Sequence, residues 1–149
     1  MGLQQLVMEE MKAAMKAKDT VALESLRAIK SALLLAQTEK GAGTELSDAD
    51  EIKMVQKLVK QRKDSAAIFN EQGRADLAEP ELAQAAIIEK FLPEQLSAED
   101  IEKVVVQTIA STGAAGMKDM GKIMGMVSKE LAGQADGKTI SGIVRQKLA

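Results

Sequence analysis

The sequence contains no cysteine, no histidine, no tryptophan and no tyrosine, and its aromatic residues are only Phe69 and Phe91. Each absence removes a class of function. Without cysteine there is no disulfide framework and no thiolate nucleophile. Without histidine the commonest general base, the physiological pH switch and the commonest metal ligand are all missing. Without exposed aromatic platforms, specific recognition of single-stranded bases by stacking is not expected. Strands and sandwiches lean on aromatic and β-branched residues. A core that must be filled by Leu, Ile, Val, Ala and nine Met therefore points to an all-α fold. No apolar run reaches the length of a membrane span. The first stretch, MGLQQLVMEEMKAAMKAK, carries acids and no cleavage site, so no signal peptide is expected. Gly2 is followed by LQQL, without the small hydroxyl residue of a myristoylation signal. A cytoplasmic location is the expectation.

At 149 residues the chain can bury roughly 68–70% of its unfolded surface. Apolar spacings of three and four predict seven helices. The first covers 2–18, with Leu3, Leu6, Val7, Met11, Ala14 and Met15 on one stripe. The second covers 21–40 and stops at GAG, residues 41–43, whose glycines suit a left-handed cap. The third opens at SDAD, where Ser47 and Asp50 have capping-box spacing, and ends at Gly73. The fourth opens at DLAEPE, with Asp76 and Glu79 as a second such pair. Pro80 would then sit in its first turn, where a missing N–H costs little. FLPEQLS, residues 91–97, is the clear joint: a proline turn, then Ser97 as N-cap with Asp100 three residues on. Three further helices are expected at 98–111, 117–132 and 138–148. The organisation is thus an N-terminal four-helix domain over 1–92, a proline corner over 93–97 and a three-helix C-terminal domain over 98–149.

The stretch MKDMGKIMGMVSKELAGQADG, residues 117–137, has the rhythm of an amphipathic helix interrupted by Gly121 and Gly125. Each interior glycine costs about 1 kcal/mol relative to alanine. On a helical wheel Met117, Met120, Met124, Val127 and Leu131 gather on one side as a core stripe. Lys118, Lys122, Gly125 and Lys129 gather on the other, with Gly121 at its edge. Two glycines there let a backbone approach, either another helix or a phosphate–sugar chain drawn by the lysines. Past Gly133, a cap at Asp136 or Gly137 would expose helix N–H groups as an anion site with Lys138 alongside. From residue 113 onward six Lys/Arg face three Asp/Glu, a local +3 in a chain of net charge −2. An evenly solvated surface would look similar. A second basic run, KMVQKLVKQRK, puts Lys53, Lys57 and Lys60 on one helix face, as a solvated row or an RNA contact. Arg62 falls near the apolar stripe and is expected to reach a carboxylate or helix-end carbonyls.

The inventory for catalysis is thin. Glu9–Glu10 and Asp48–Asp50–Glu51 lie in first turns or on helix exteriors, where acids are expected. Ser25, Ser31 and Ser65 lie inside helices, leaving a Ser–Lys pair as the one open arrangement. There is no P-loop, no GxGxxG after a strand and no metal-spaced cluster. An amidase needs a nucleophile, an activating base and an oxyanion hole, and none can be assembled. No catalytic residue, cofactor or metal is assigned.

LRAIKSAL (26–33), KLVKQRKDSAAIFNEQGRADLAE (57–79), EKFLPEQLS (89–97), KDMGKIM (118–124) and GQADGKTISGIVRQKL (133–148) follow one another over nearly the whole chain. Together they resemble the YqeY-like family, which is related to the C-terminal tail of the GatB subunit of glutamyl/aspartyl-tRNA amidotransferase. Phe91 stands where the family usually has Tyr, Gln134 where a basic residue is usual, and Pro80 enters an otherwise acidic helix start. The resemblance implies an all-helical protein. Its tail would help hold tRNA while chemistry lies in other domains and subunits. Similar domains are appended to some glutaminyl-tRNA synthetases. It implies tRNA as partner, with an aminoacyl-tRNA synthetase or amidotransferase beside it, and neither DNA nor membrane. The candidate tRNA surface is then Lys118, Gly121, Lys122, Gly125 and Lys138, with Lys129 added by the wheel. A family label of carbon–nitrogen ligase with glutamine as amide donor reads as inherited from the complex. The alternative is a helical protein–protein module without RNA binding, in which Gly121 and Gly125 pack against a helix of the tail or of a partner.

Overall fold

Ser47 Oγ accepts a hydrogen bond from the Asp50 amide at 3.2 Å, and Asp50 Oδ2 accepts one from the Ser47 amide at 3.3 Å. This reciprocal capping box satisfies two orphan donors and opens the longest helix, α3 (Asp48–Glu71). A computed structural model describes residues 2–41 and 43–149. Among them there are seven α-helices and no strand, as the composition leads one to expect. The others are α1 (Leu3–Ala17), α2 (Thr20–Lys40), α4 (Ala75–Glu89), α5 (Ala98–Thr112), α6 (Met120–Glu130) and α7 (Gly137–Leu148). Asp19 caps α2 through the Ala22 amide at 3.1 Å, and Ser97 caps α5 through the Asp100 amide at 3.2 Å. Gly41 closes α2 at φ +103°, ψ 149°, a conformation open to glycine but outside the left-handed helical region expected of it. Ala42, the middle of GAG, lies outside the described residues.

The start of α4 departs from the sequence reading. Asp76 forms no capping pair with Glu79. It accepts from Arg74 Nε at 3.0 Å and from Arg74 Nη2 at 2.9 Å. The guanidinium outcompetes the backbone amide for that carboxylate. The helix begins at Ala75 behind an uncapped Arg74, so Ala75–Glu79 precede Pro80 and put it inside the helix. The fourth helix, expected to run to Phe91, ends at Glu89, and residues 90–91 form a turn.

The contacts divide the chain into one unit ending at Leu92 and one beginning at Pro93. In the first, α3 packs along α4, and α2 packs against α1, α3 and α4. Val7, Leu26, Ile29, Val55, Val59 and Ile88 form the centre of its core. Full burial of side chains of this size is worth about 1.5–3 kcal/mol each, which is why this stripe fixes helix orientation. Leu6 and Met15, assigned to the stripe of α1, are exposed, because the buried line runs through Leu3, Val7 and Ala14.

In the second unit α5, α6 and α7 pack pairwise around Ile101, Val105, Ile123, Val127, Ile140 and Val144. The PEQL segment belongs to this unit. Gln95 Nε2 donates to the Pro93 carbonyl at 2.8 Å and to the Gly133 carbonyl at 2.6 Å. The Leu96 amide donates to the Gln134 carbonyl at 2.9 Å. These bonds tie the residues before α5 to the turn before α7. No described helix is long and apolar enough to cross a membrane.

Candidate nucleic-acid interface

The helix expected over 117–132 is a 3₁₀ turn at Met117–Asp119 followed by α6. Asp119 helps set this entry, because its Oδ2 accepts the Ala115 amide at 2.9 Å. Lys118 is therefore exposed on the turn, and Met117 is 46% exposed rather than core. The buried line of α6 is Ile123 and Val127, with Met120 and Met124 half-buried beside them. Ile123, absent from the methionine stripe read on the wheel, is the residue that anchors the helix. The opposite face carries Lys122, Gly125 and Lys129, all exposed, with Gly121 exposed at its edge. Met126, 44% exposed, shares this face at helical spacing between Lys122 and Lys129. The same spacing rule applied to every residue would have found it.

A Cβ placed on Gly121 or Gly125 would meet no heavy atom within 4 Å beyond the helix itself. Packing of these glycines inside the tail, one of the expected explanations, is thus overturned. Neither glycine has the positive φ that would require one. Both leave bare backbone facing outward, at a cost of about 1 kcal/mol each.

The charges beside them are uncompensated. Among the described residues Lys118, Lys122, Lys129 and Lys138 take part in no ion pair. Some lysines elsewhere are neutralised, Lys147 by Glu102 at 2.5 Å and Lys63 by Glu89 at 3.6 Å, whereas Lys53 and Lys57 on α3 likewise take part in no ion pair among the described residues. Lys138 stands apart from the α6 lysines in sequence, in the first turn of α7. Asp136 caps that helix, its Oδ1 accepting the Thr139 amide at 2.6 Å. A carboxylate already sits where an external anion would bind, so Lys138 acts as an exposed cation and not as part of a helix-end anion cradle. Gln134 turns its amide toward the Glu94 carbonyl at 3.4 Å, an intramolecular role.

The secondary basic face is mixed. Lys53, Lys57 and Lys60 are all exposed on α3, but Lys60 pairs with Asp64 at 2.7 Å. Arg62 is half-buried and reaches Gln84 and the Leu58 carbonyl in the interior of α3, in place of the carboxylate or helix-end carbonyls expected of it.

For chemistry the described residues offer little. Ser25 is buried and its hydroxyl donates to the Val21 carbonyl at 2.8 Å, which removes it as a nucleophile. Burial and the neighbouring Asp48 push the Glu51 carboxyl up, yet no group of His, Cys, Asp or Glu among the described residues is arranged to hold a metal ion. The pocket between α1, α2 and α4 is lined mainly by Ala and Leu side chains, with Glu10, Asp19 and Lys90 at its edge.

The model of the family described as Yqey-like protein matches residues 4–148. The chain is 35% identical over 103 residues to a subunit of the glutamyl-tRNA(Gln) amidotransferase of Thermococcus gammatolerans, covering 66% of this chain and 16% of that one. It is 38% identical over 93 residues to altered inheritance of mitochondria protein 41 of Clavispora lusitaniae, covering 62% and 53% respectively. The protein of the same name from Meyerozyma guilliermondii is 33% identical over 126 residues, covering 80% and 64%. The chain thus spans less than two thirds of each of these relatives.

Proposed function

This chain belongs to the YqeY-like family, and from that premise we propose that it is a non-catalytic tRNA-binding accessory module, working beside an amidotransferase or an aminoacyl-tRNA synthetase. The observation that carries this reading is the outer face of α6, where exposed Lys122 and Lys129 flank backbone left bare by Gly125, and among the described residues neither lysine is in an ion pair. Lys118 and Gly121 extend this face toward the 3₁₀ turn, and Lys138 adds a cation from α7. Residues 98–149 serve as the RNA-holding tail domain, joined by the corner at 93–97 to a helical domain over 1–92. Lys53 and Lys57 offer a secondary basic face, with Lys60 partly satisfied by Asp64.

An interface of this kind reads phosphate and shape. A double-helical RNA backbone needs no stacking aromatics, and Phe69 and Phe91 are both half-buried in the first unit. The similarity to an amidotransferase subunit supports the association with that enzyme class. In this reading the ligase chemistry belongs to other chains of a complex, and the family label is inherited from it. The proposal places the chain in the cytoplasm, although two relatives carry "mitochondrial" in their names.

The test is fluorescence anisotropy of the purified chain with labelled tRNA at 50 and 200 mM salt, with duplex DNA as control. Contact with three or four phosphates should weaken binding by roughly one and a half to two decades over that change. Absence of binding at low salt would reject the reading. A second reading has its own observation: Gly121 and Gly125 lie one helical turn apart, a spacing that also admits a partner protein's helix. Binding of a partner that is insensitive to salt and to lysine reversal would favour it.

A further inference from the structure

The face of α7 turned away from the core repeats the pattern of α6. Lys138, Gly142 and Arg145 fall at spacings of four and three, within one narrow arc of the helix, and all three are exposed. Ile140, Val144 and Leu148 occupy the core side. Gly142 lies in the middle of α7 with no positive φ to require a glycine, and an added Cβ there would meet no heavy atom within 4 Å. Its only consequence within the fold is the loss of about 1 kcal/mol of helix stability. Neither Lys138 nor Arg145 is in an ion pair among the described residues. Lys147, two residues further, is paired with Glu102 of α5. The helix thus neutralises the cation that reaches its neighbour and leaves the outer two free.

We propose that Lys138, Gly142 and Arg145 form a second RNA-backbone contact, so that the tail grips tRNA with faces of two helices, α6 and α7, that pack against each other. The proposal rests on the tRNA-binding reading, which already includes Lys138, and extends it to Gly142 and Arg145, outside the KDMGKIM helix and the GQADGK turn. The chemistry favours phosphate. An arginine guanidinium offers a planar fork that fits a phosphate bidentately. Lys138 and Arg145 are separated by about 10 Å along the axis at 1.5 Å per residue, enough to touch separate phosphates. Gly142 between them lets the sugar–phosphate chain lie close to the helix. A protein helix docking on the same glycine would leave two free cations at its edge with no partner of fixed charge, which is the weaker match.

The experiment measures anisotropy of labelled tRNA with the full chain and four variants: Arg145→Glu, Lys138→Gln, Gly142→Ala and Lys122→Glu. Thermal melts are run on each. Arg145→Glu should weaken binding tenfold or more, and Lys138→Gln several-fold. Each should lower the slope of log affinity against log salt by about one. Gly142→Ala should weaken binding several-fold while raising the melting temperature, a combination that loss of folding does not produce. If Lys122→Glu loses affinity while the three α7 variants bind with the wild-type affinity and slope, the α7 contact is refuted and the α6 reading stands. If the wild-type chain binds no tRNA, both fall together. Should Arg145→Glu melt early, Gly142→Ala and Lys138→Gln decide the matter alone.

Discussion

Arg62 Nε donates to Gln84 Oε1 at 3.1 Å, and Gln84 Nε2 donates in turn to Glu24 Oε2 at 3.2 Å. One amide therefore joins three helices, α3 through Arg62, α4 through Gln84 itself and α2 through Glu24. Arg62 also holds the Leu58 carbonyl at 3.3 Å, which commits the guanidinium to its own unit. A hydrogen bond to a charged group is worth about 1.5–3 kcal/mol when buried. The network is only half-buried, so Arg62→Ala should cost about 1–2 kcal/mol, read as a lower urea midpoint. tRNA affinity should stay unchanged. A loss of affinity at unchanged stability would instead assign Arg62 to the RNA surface.

A second link spans the loop between α2 and α3, where Lys40 Nζ is bonded to Asp50 Oδ2. The hydrogen bond from Lys40, followed by those from Ser47, holds the Asp50 carboxyl down at about 2. An acid whose pKa is lowered on folding adds stability above its unfolded value, near 4, and loses that contribution as pH falls toward 2. Asp50→Asn should therefore flatten the acid limb of stability between about pH 4 and pH 2. Urea midpoints measured across that range will show it. An unchanged limb would mean that the pair does not persist in solution.

Pro80 gives a prediction of opposite sign. Lying beyond the first turn of α4, it can make no i→i−4 bond, and a proline in a helix interior costs about 3 kcal/mol relative to alanine. Its side chain is exposed, so little packing is lost on replacement. Pro80→Ala should raise unfolding free energy by about 1–3 kcal/mol in urea titration. A destabilised variant would show that the proline sets the path of α4 against α3.

The legibility of this fold follows the range of the interactions involved. The Ser47–Asp50 box is readable because both partners lie within one turn and the spacing rule needs nothing else. The Asp76 expectation fails because Arg74, two residues back, captures the carboxylate, a competition that a spacing rule does not contain. The core side of α6 is roughly legible from its methionines, but Ile123 rather than Met117 supplies the anchor. Where the 3₁₀ turn ends and α6 begins depends on Asp119 reaching back to Ala115. The lysines of the candidate surface are legible as a cluster. Their lack of an ion pair among the described residues is not, because pairing such as Lys147 with Glu102 joins residues far apart in sequence. Nor can sequence decide what stands opposite Gly121 and Gly125, since an empty surface leaves no mark in the spacing.

That empty surface fixes the sign of the most informative prediction. If the glycines packed inside the tail, a methyl group there would lower the melting temperature. With nothing within 4 Å of either position, Gly121→Ala and Gly125→Ala should each add about 0.5–1 kcal/mol by removing backbone freedom from the unfolded chain. For a unit of this size that corresponds to a rise of roughly 4–8 °C per kcal/mol. The same methyl groups stand where an RNA backbone would approach, so tRNA affinity should fall as stability rises. The charge variant Lys118→Glu, Lys122→Glu, Lys129→Glu should abolish binding with the melting temperature nearly unchanged, since none of the three lysines has an ion-pair partner to lose among the described residues. Reversal of Lys53 and Lys57 on α3 is the matched control and should cost far less affinity. Alanine variants that gain stability and bind tRNA as before would remove α6 from the interface and move attention to a partner protein.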